Sequence, residues 1–159
     1  MLFQSTGTWH EQLTAQAGVT YSSYGGSSAC SLSSALVATC TDMPVIDGAD
    51  VVTGWSRYNG STYRAPYAYT ATKGFVGAVY QQTTPLTLET SARGVENTAG
   101  SVYSSRGYVY VHLSNGSNPS SYTIEICGSR AYGISIGNVS NVTINGLEII
   151  RNHKGRNRC

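Results

Sequence analysis

Three carboxylates, Asp42, Asp47 and Asp50, fall close together around the apolar stretch Pro44-Val45-Ile46. Paired carboxylates can act as general acid and base, or hold calcium through oxygen, when their separation is fixed. Asp47 precedes Gly48, however, and an Asp beside Gly ordinarily bonds the backbone of its own turn. The structural role is the expected one, and polysaccharide cleavage by the Asp cluster is the chemical alternative. His10 and Glu11 are a second acid–base pair by type. Neighbours along a strand face opposite ways, so these two also read as structural. Tyr108, Tyr110 and His112 alternate along one stretch and, with Trp55, could form an aromatic face. Flat rings with polar tips suit stacking on sugar rings, which makes these four the candidate carbohydrate-binding residues. The competing role for the same tyrosines is to cover the outer face of a pleated sheet. No residue is assigned as catalytic.

Metal and cofactor chemistry finds no support in the spacing. The cysteines are Cys30, Cys40, Cys127 and Cys159, without a Cys-x-x-Cys pair, and His10, His112 and His153 are dispersed. No metal site and no cofactor are therefore expected. Cys30 and Cys40 bracket a Ser/Ala/Leu loop that a disulfide would staple in an oxidising compartment. Cys127, at a strand end, reads as buried or as a free thiol, and Cys159 as a terminal thiol that would cross-link chains only adventitiously. A net charge of +2 gives no reason to expect nucleic acid. Arg151, Lys154, Arg156 and Arg158 concentrate charge at the C-terminus and read as a solubilising tail. No apolar run approaches the roughly 20 residues that cross a bilayer. Met1-Leu2-Phe3-Gln4-Ser5 lacks the basic start and apolar run of a signal peptide, so a cytoplasmic chain and a piece of a longer secreted precursor both remain open.

The elements that must position these residues are short. Charged residues make up only 11% of the chain, and Gly, Ser, Thr, Asn and 12 Tyr fill the polar positions, as suits an all-β protein. Ile134/Ile136, Val142/Ile144 and Leu147/Ile149 form three brief apolar pairs separated by Gly, Asn and Ser corners. Each pair points one way, because side chains alternate faces along a strand. A chain that turns this often without crossover helices is coiling, as the wall of a parallel β-helix does. Residues 1–50 show similar short strands near Trp9–Thr14, Val19–Tyr24 and Pro44–Ile46. Residues 51–122 carry longer, meandering strands near 62–64, 74–81, 86–89, 101–103 and 108–113, and residues 123–152 return to the coil. Ile124 and Leu147 stand at a spacing within the range of solenoid repeats. Residues 153–159 form the basic tail. Segment 31–39 is the one place where a turn or two of helix is expected. Val109, Val111 and Leu113 alternate against Tyr108, Tyr110 and His112, and Asn115-Gly116 then supplies residues that tolerate positive φ.

These segments resemble the N-terminal part of right-handed parallel β-helix proteins of the pectate-lyase-like superfamily. The matching residues run from Phe3-Gln4-Ser5-Thr6-Gly7-Thr8-Trp9 to Leu13, from Val19 to Gly25, and through Pro44-Val45-Ile46-Asp47-Gly48-Ala49. They continue from Val109 to Pro119 and from Tyr132-Gly133-Ile134 to Gly146-Leu147-Glu148-Ile149. The resemblance implies an all-β fold: a short right-handed parallel β-helix of few rungs with an inserted antiparallel β-sandwich-like region. It also implies polysaccharide as the substrate class. In relatives of this kind the catalytic residues and calcium ligands generally lie on later rungs, which this sequence does not contain.

The expected function is accordingly a non-catalytic, carbohydrate-associated module. The alternative is a stand-alone scaffold or protein-interaction protein, of the kind a mobile gene cassette would carry. An interrupted coil exposes strand edges that invite pairing. Val142, Ile144, Leu147 and Ile149 are therefore the expected interface of a homodimer, unless the basic tail folds back over them.

Overall fold

The computed structural model describes residues 1–25, 30–32, 38–40, 42–68, 77–130 and 132–152, with backbone alone at 30–32 and 38–40. Its described elements are almost all strands, and the chain divides into two compact units. Among the described residues, unit 1 takes in positions up to Gly48 and from Arg130 to Asn152, and unit 2 is Ala49–Ser129.

Unit 1 is built on parallel pairing. Strands β1 (Leu2–Gln4), β4 (Thr20–Tyr24) and β18 (Thr143–Ile144) form one sheet. A second sheet joins β2 (Thr8–Trp9), β7 (Val45–Asp47) and β19 (Glu148–Ile150), and a third joins β3 (Leu13–Thr14) to β17 (Ile134–Ser135). Every pairing in these three sheets is parallel. The chain visits these three sheets in a fixed cyclic order. Phe3, Leu13, Tyr21 and Ile46 are buried at the centre, and Val142, Ile144, Leu147 and Ile149 pack against them half-covered. Burying each such side chain contributes about 1.5–3 kcal/mol. Ile136 departs from the expected pattern: it is exposed, because β17 ends at Ser135 and Gly137 turns the backbone at φ 54.

The expected helix at 31–39 is replaced at both ends. β5 (Cys30–Leu32) and β6 (Ala38–Cys40) pair antiparallel with Cys30 opposite Cys40, while 33–37 lie outside the described residues. Three serines in nine positions compete with helical backbone bonding, and a helix that short is not self-supporting.

Unit 2 contains two sheets that share one apolar core. The first has five strands in the order β13 (Thr87–Leu88), β14 (Ser101–Ser105), β15 (Tyr108–His112), β10 (Thr62–Pro66) and β9 (Ser56–Asn59). The second has four, β12 (Thr84–Pro85), β11 (Ala78–Gln81), β16 (Ile124–Cys127) and β8 (Ala49–Val51). Val102, Val109 and Val111 of the first sheet meet Val79, Ile124 and Ile126 of the second.

Ile124-Glu125-Ile126, expected to re-enter the coil, instead pairs antiparallel with both β11 and β8. All four residues of β16 are buried, and the strand is paired on both edges. The Ile124–Leu147 spacing is thus not a repeat, because its two ends belong to different units. Asn115 and Gly116 do turn the chain: Gly116 N–H donates to the Leu113 carbonyl and Ser117 N–H to Asn115 Oδ1. A 3-10 turn at Pro119–Ser121, capped by Asn118, then carries the chain from the first sheet to the second. A short helix, α1 (Ala92–Asn97), was not anticipated. Ser91 caps it by accepting from Gly94 N–H at 3.0 Å.

Candidate functional site

The tyrosines converge on the outer face of the five-stranded sheet. β14 and β15 are joined by a two-residue turn, Arg106-Gly107, with both residues at positive φ (50 and 84). That turn fixes the register, setting Tyr103 opposite Tyr110 and Ser105 opposite Tyr108. Arg64 of β10 stands opposite Tyr110 from the other side. The pairing of β9 with β10 shifts between Thr62 and Tyr63, so that Asn59 faces Thr62 while Arg57 faces Tyr63. Tyr58 is the extra residue of this bulge, which aims its ring at Tyr110.

The result is a ring cluster centred on Tyr110. Tyr58 meets it edge-on at 5.0 Å and 78°, Tyr103 lies at 6.0 Å and Tyr108 at 6.5 Å. The Arg64 guanidinium carbon sits 5.0 Å from the Tyr108 centroid and 5.6 Å from that of Tyr58. Each such contact contributes about 0.5–1 kcal/mol at a wet surface and holds both partners in place. Arg64 forms no ion pair among the described residues, so its charge faces outward uncompensated. Tyr58 and Tyr108 are 42% and 38% exposed, enough to leave ring surface for a ligand. The arrangement can stack a flat ring with C–H faces and donate hydrogen bonds to its rim.

Two expected members stand apart from this cluster. His112 is half-buried, and its Nδ1 lies 3.0 Å from the Val95 carbonyl of α1. A carbonyl only accepts, so Nδ1 carries the proton and the ring is committed to holding the helix. Trp55 packs against the unit's interior core, and its Nε1–H donates to the Val52 carbonyl at 3.0 Å. It walls a pocket of about 180 Å³ together with Thr53, Pro119, Ser120, Tyr122 and Thr123. Arg64, Tyr58 and Tyr103 are the members that sequence reasoning missed. The Arg106-Gly107 turn could have revealed Tyr103, because it places that residue opposite Tyr110 by counting outward.

Each aspartate of the cluster has a structural setting of its own. Asp42 takes a left-handed conformation (φ 61) and its carbonyl accepts from Thr6 N–H. Asp47 is wholly buried and receives the Arg151 guanidinium through both oxygens, with Arg151 Nε 3.2 Å from Oδ1 and Nη2 bonded to Oδ2. His10, not Glu11, turns toward it, with Nδ1 3.6 Å from Oδ2. Asp50 Oδ2 accepts from Tyr67 Oη at 2.7 Å and Ser129 Oγ at 2.5 Å. Cys127 is buried and joined in a disulfide, which corrects the free-thiol alternative. The side chains of Cys30 and Cys40, and Cys159, His153, Lys154, Arg156 and Arg158 of the tail, lie outside the described residues.

Val142, Ile144, Leu147 and Ile149 lie together in the unit 1 cluster. β17, β18 and β19, which surround them, each stand at the end of a sheet. No helix among the described residues is long and apolar enough to cross a membrane.

No protein-family profile matches the chain, and no curated protein does. Among solved structures it is similar to one described as the complex structure of XylC with xylose, with a TM-score of 0.64 and 13% sequence identity. The superposition covers 95% of this chain and 30% of that one, so the chain spans less than a third of that protein's length. At that identity the likeness speaks for the fold alone.

Proposed function

We propose that this chain is a non-catalytic, carbohydrate-associated module that meets a polysaccharide through the tyrosine face of unit 2. On this reading unit 1 is a short right-handed parallel β-helix, related to the pectate-lyase-like superfamily, and unit 2 is a β-sandwich inserted into it. The cyclic visiting order of the three parallel sheets supports the first assignment, and the shared core of two facing sheets the second. The observation that carries the function is the ring cluster itself: four tyrosines and an uncompensated Arg64 on one sheet face. Large exposed aromatic surface costs solubility and is uncommon without a partner. The neighbour described with xylose lends further support. Calorimetric titration against a panel of acidic and neutral polysaccharides tests it. Binding that Tyr110→Ala weakens by about tenfold, the worth of roughly 1.4 kcal/mol, is expected. Absence of binding to every polysaccharide, or binding indifferent to Tyr110→Ala, refutes it.

The edge positions of β17, β18 and β19 favour a second, compatible reading in which unit 1 serves as a scaffold for another protein chain. A second copy pairing along these edges would cover Val142, Ile144, Leu147 and Ile149.

A further inference from the structure

The Trp55 pocket differs from the tyrosine face in carrying no charged side chain. At about 180 Å³ it has room for roughly six waters and falls short of the ~300 Å³ at which drug-sized pockets begin. One six-membered ring fills such a space. Its lining carries no charged side chain: Trp55, Tyr122 and Pro119 offer apolar surface, and Thr53, Ser120 and Thr123 offer hydroxyls. A charged ligand would find no counter-charge here. A bare hydrocarbon ring would use only the apolar part of this lining.

The walls are also fixed before any ligand arrives. Gly54, at φ 78, reverses the chain so that the Trp55 Nε1–H reaches back to the Val52 carbonyl. That bond removes the indole donor from competition and leaves the ring to act through its face. Opposite, Tyr122 Oη accepts from Asn115 Nδ2 at 2.7 Å, and Asn118 Oδ1 caps the turn that carries Pro119 and Ser120. A pocket whose side chains are already anchored loses little conformational entropy on binding.

We propose that this pocket is a binding site for a single uncharged sugar ring, separate from the tyrosine face. The choice of a sugar rests on the carbohydrate reading above, whereas the size, neutrality and mixed lining of the pocket stand on their own. One C–H face of the ring stacks on Trp55 while its hydroxyls exchange hydrogen bonds with Thr53, Ser120 and Thr123. A single ring offers few contacts, so weak binding is expected.

The test follows the Trp55 indole N–H resonance while xylose, glucose and galactose are titrated into the full chain. A saturable shift is expected with at least one of them. Ser120→Tyr, which fills the pocket and keeps the backbone bond to Asn118, should abolish it. Thr123→Val, nearly isosteric, should weaken it several-fold while leaving the fold intact, and thereby serves if Ser120→Tyr misfolds. Tyr110→Ala should leave it unchanged. Lack of any saturable shift overturns the proposal, as does equal binding of cyclohexanol, which would make this a simple apolar-ring pocket. Loss of the monosaccharide shift in Tyr110→Ala also overturns it, because the two sites would then be one. A shift that survives where no polysaccharide binds the tyrosine face supports this site and removes that reading instead.

Discussion

Removing the guanidinium of Arg151 should damage unit 1 more than removing the carboxylate of Asp47. The asymmetry comes from burial. Asp47 is 0% exposed and takes both oxygens to Arg151, whereas the Arg151 side chain is 22% exposed. In Arg151→Met the aliphatic stem stays packed but a buried carboxylate loses its main partner, at a cost of about 3–5 kcal/mol. His10, 3.6 Å away and a third exposed, offsets only part of that. In Asp47→Asn the guanidinium can swing its outer nitrogens to water, and the amide oxygen still accepts one bond, so the cost is about 1–3 kcal/mol. The double variant should cost less than the sum, because the second change removes a group the first had stranded. With a urea slope near 2 kcal/mol/M, Arg151→Met should lower the midpoint by about 1.5–2.5 M, and Asp47→Asn by about 0.5–1.5 M. Trp9, packed edge-on against Phe3 at 5.1 Å, reports on unit 1 alone in a Trp55→Phe background. The reasoning fails if Asp47→Asn shifts the midpoint further than Arg151→Met, or if the two losses are additive.

Other expectations follow from single positions. A Cβ on Gly48 would stand 2.5 Å from the Arg151 carbonyl oxygen, a backbone atom that cannot step aside. Gly48→Ala should therefore cost about 2–4 kcal/mol, read as a lowered thermal midpoint, while Gly60→Ala, in open space, should cost about 1 kcal/mol through its positive φ alone. Ile126→Ala, in the core of unit 2, should cost about 2–5 kcal/mol in the Trp55-reported transition. Light scattering should return the mass of a dimer, and Ile144→Lys should convert it to a monomer; a monomeric parent chain removes the edge-pairing proposal. Arg64→Met should leave folding intact yet loosen Tyr58 and Tyr108, visible as line broadening of their ring resonances and weaker polysaccharide retention.

Much of the β architecture was legible because its signals are local. Alternation in Tyr108–Leu113 put Val109 and Val111 inside and Tyr108 and Tyr110 outside, as the register shows. The brief apolar pairs near the end of the chain marked β17, β18 and β19, although Ile136 faces out because alternation says nothing about where a strand stops. Partner choice was less legible. β16 has the same Ile-x-Ile pattern as the unit 1 strands, and only the arrival of β11 and β8 on its two sides reveals its true place. Trp55 and His112 were drawn into the tyrosine face by residue type, whereas their N–H groups answer to the carbonyls of Val52 and Val95. Tyr58 reaches the face through a bulge, and a bulge leaves no trace in composition. His10 meets Asp47 and not its neighbour Glu11, a contact between segments far apart in sequence.

The antiparallel pairing of β8 with β16 sets Ala49 beside Cys127, so the two ends of unit 2 touch. To the surrounding polypeptide, an insertion with touching ends behaves as a short connector once it has collapsed. Before that, joining Thr20 to Thr143 demands closure of a very long loop; afterwards the effective loop is a fraction of that length. All strand pairing in unit 2 is completed within its own span, so its assembly can precede the distant parallel pairings and bring them within reach. The expected order of events during synthesis is that the middle of the chain pairs first, and that the β4–β18 and β7–β19 ladders close once Thr143–Ile150 have been made.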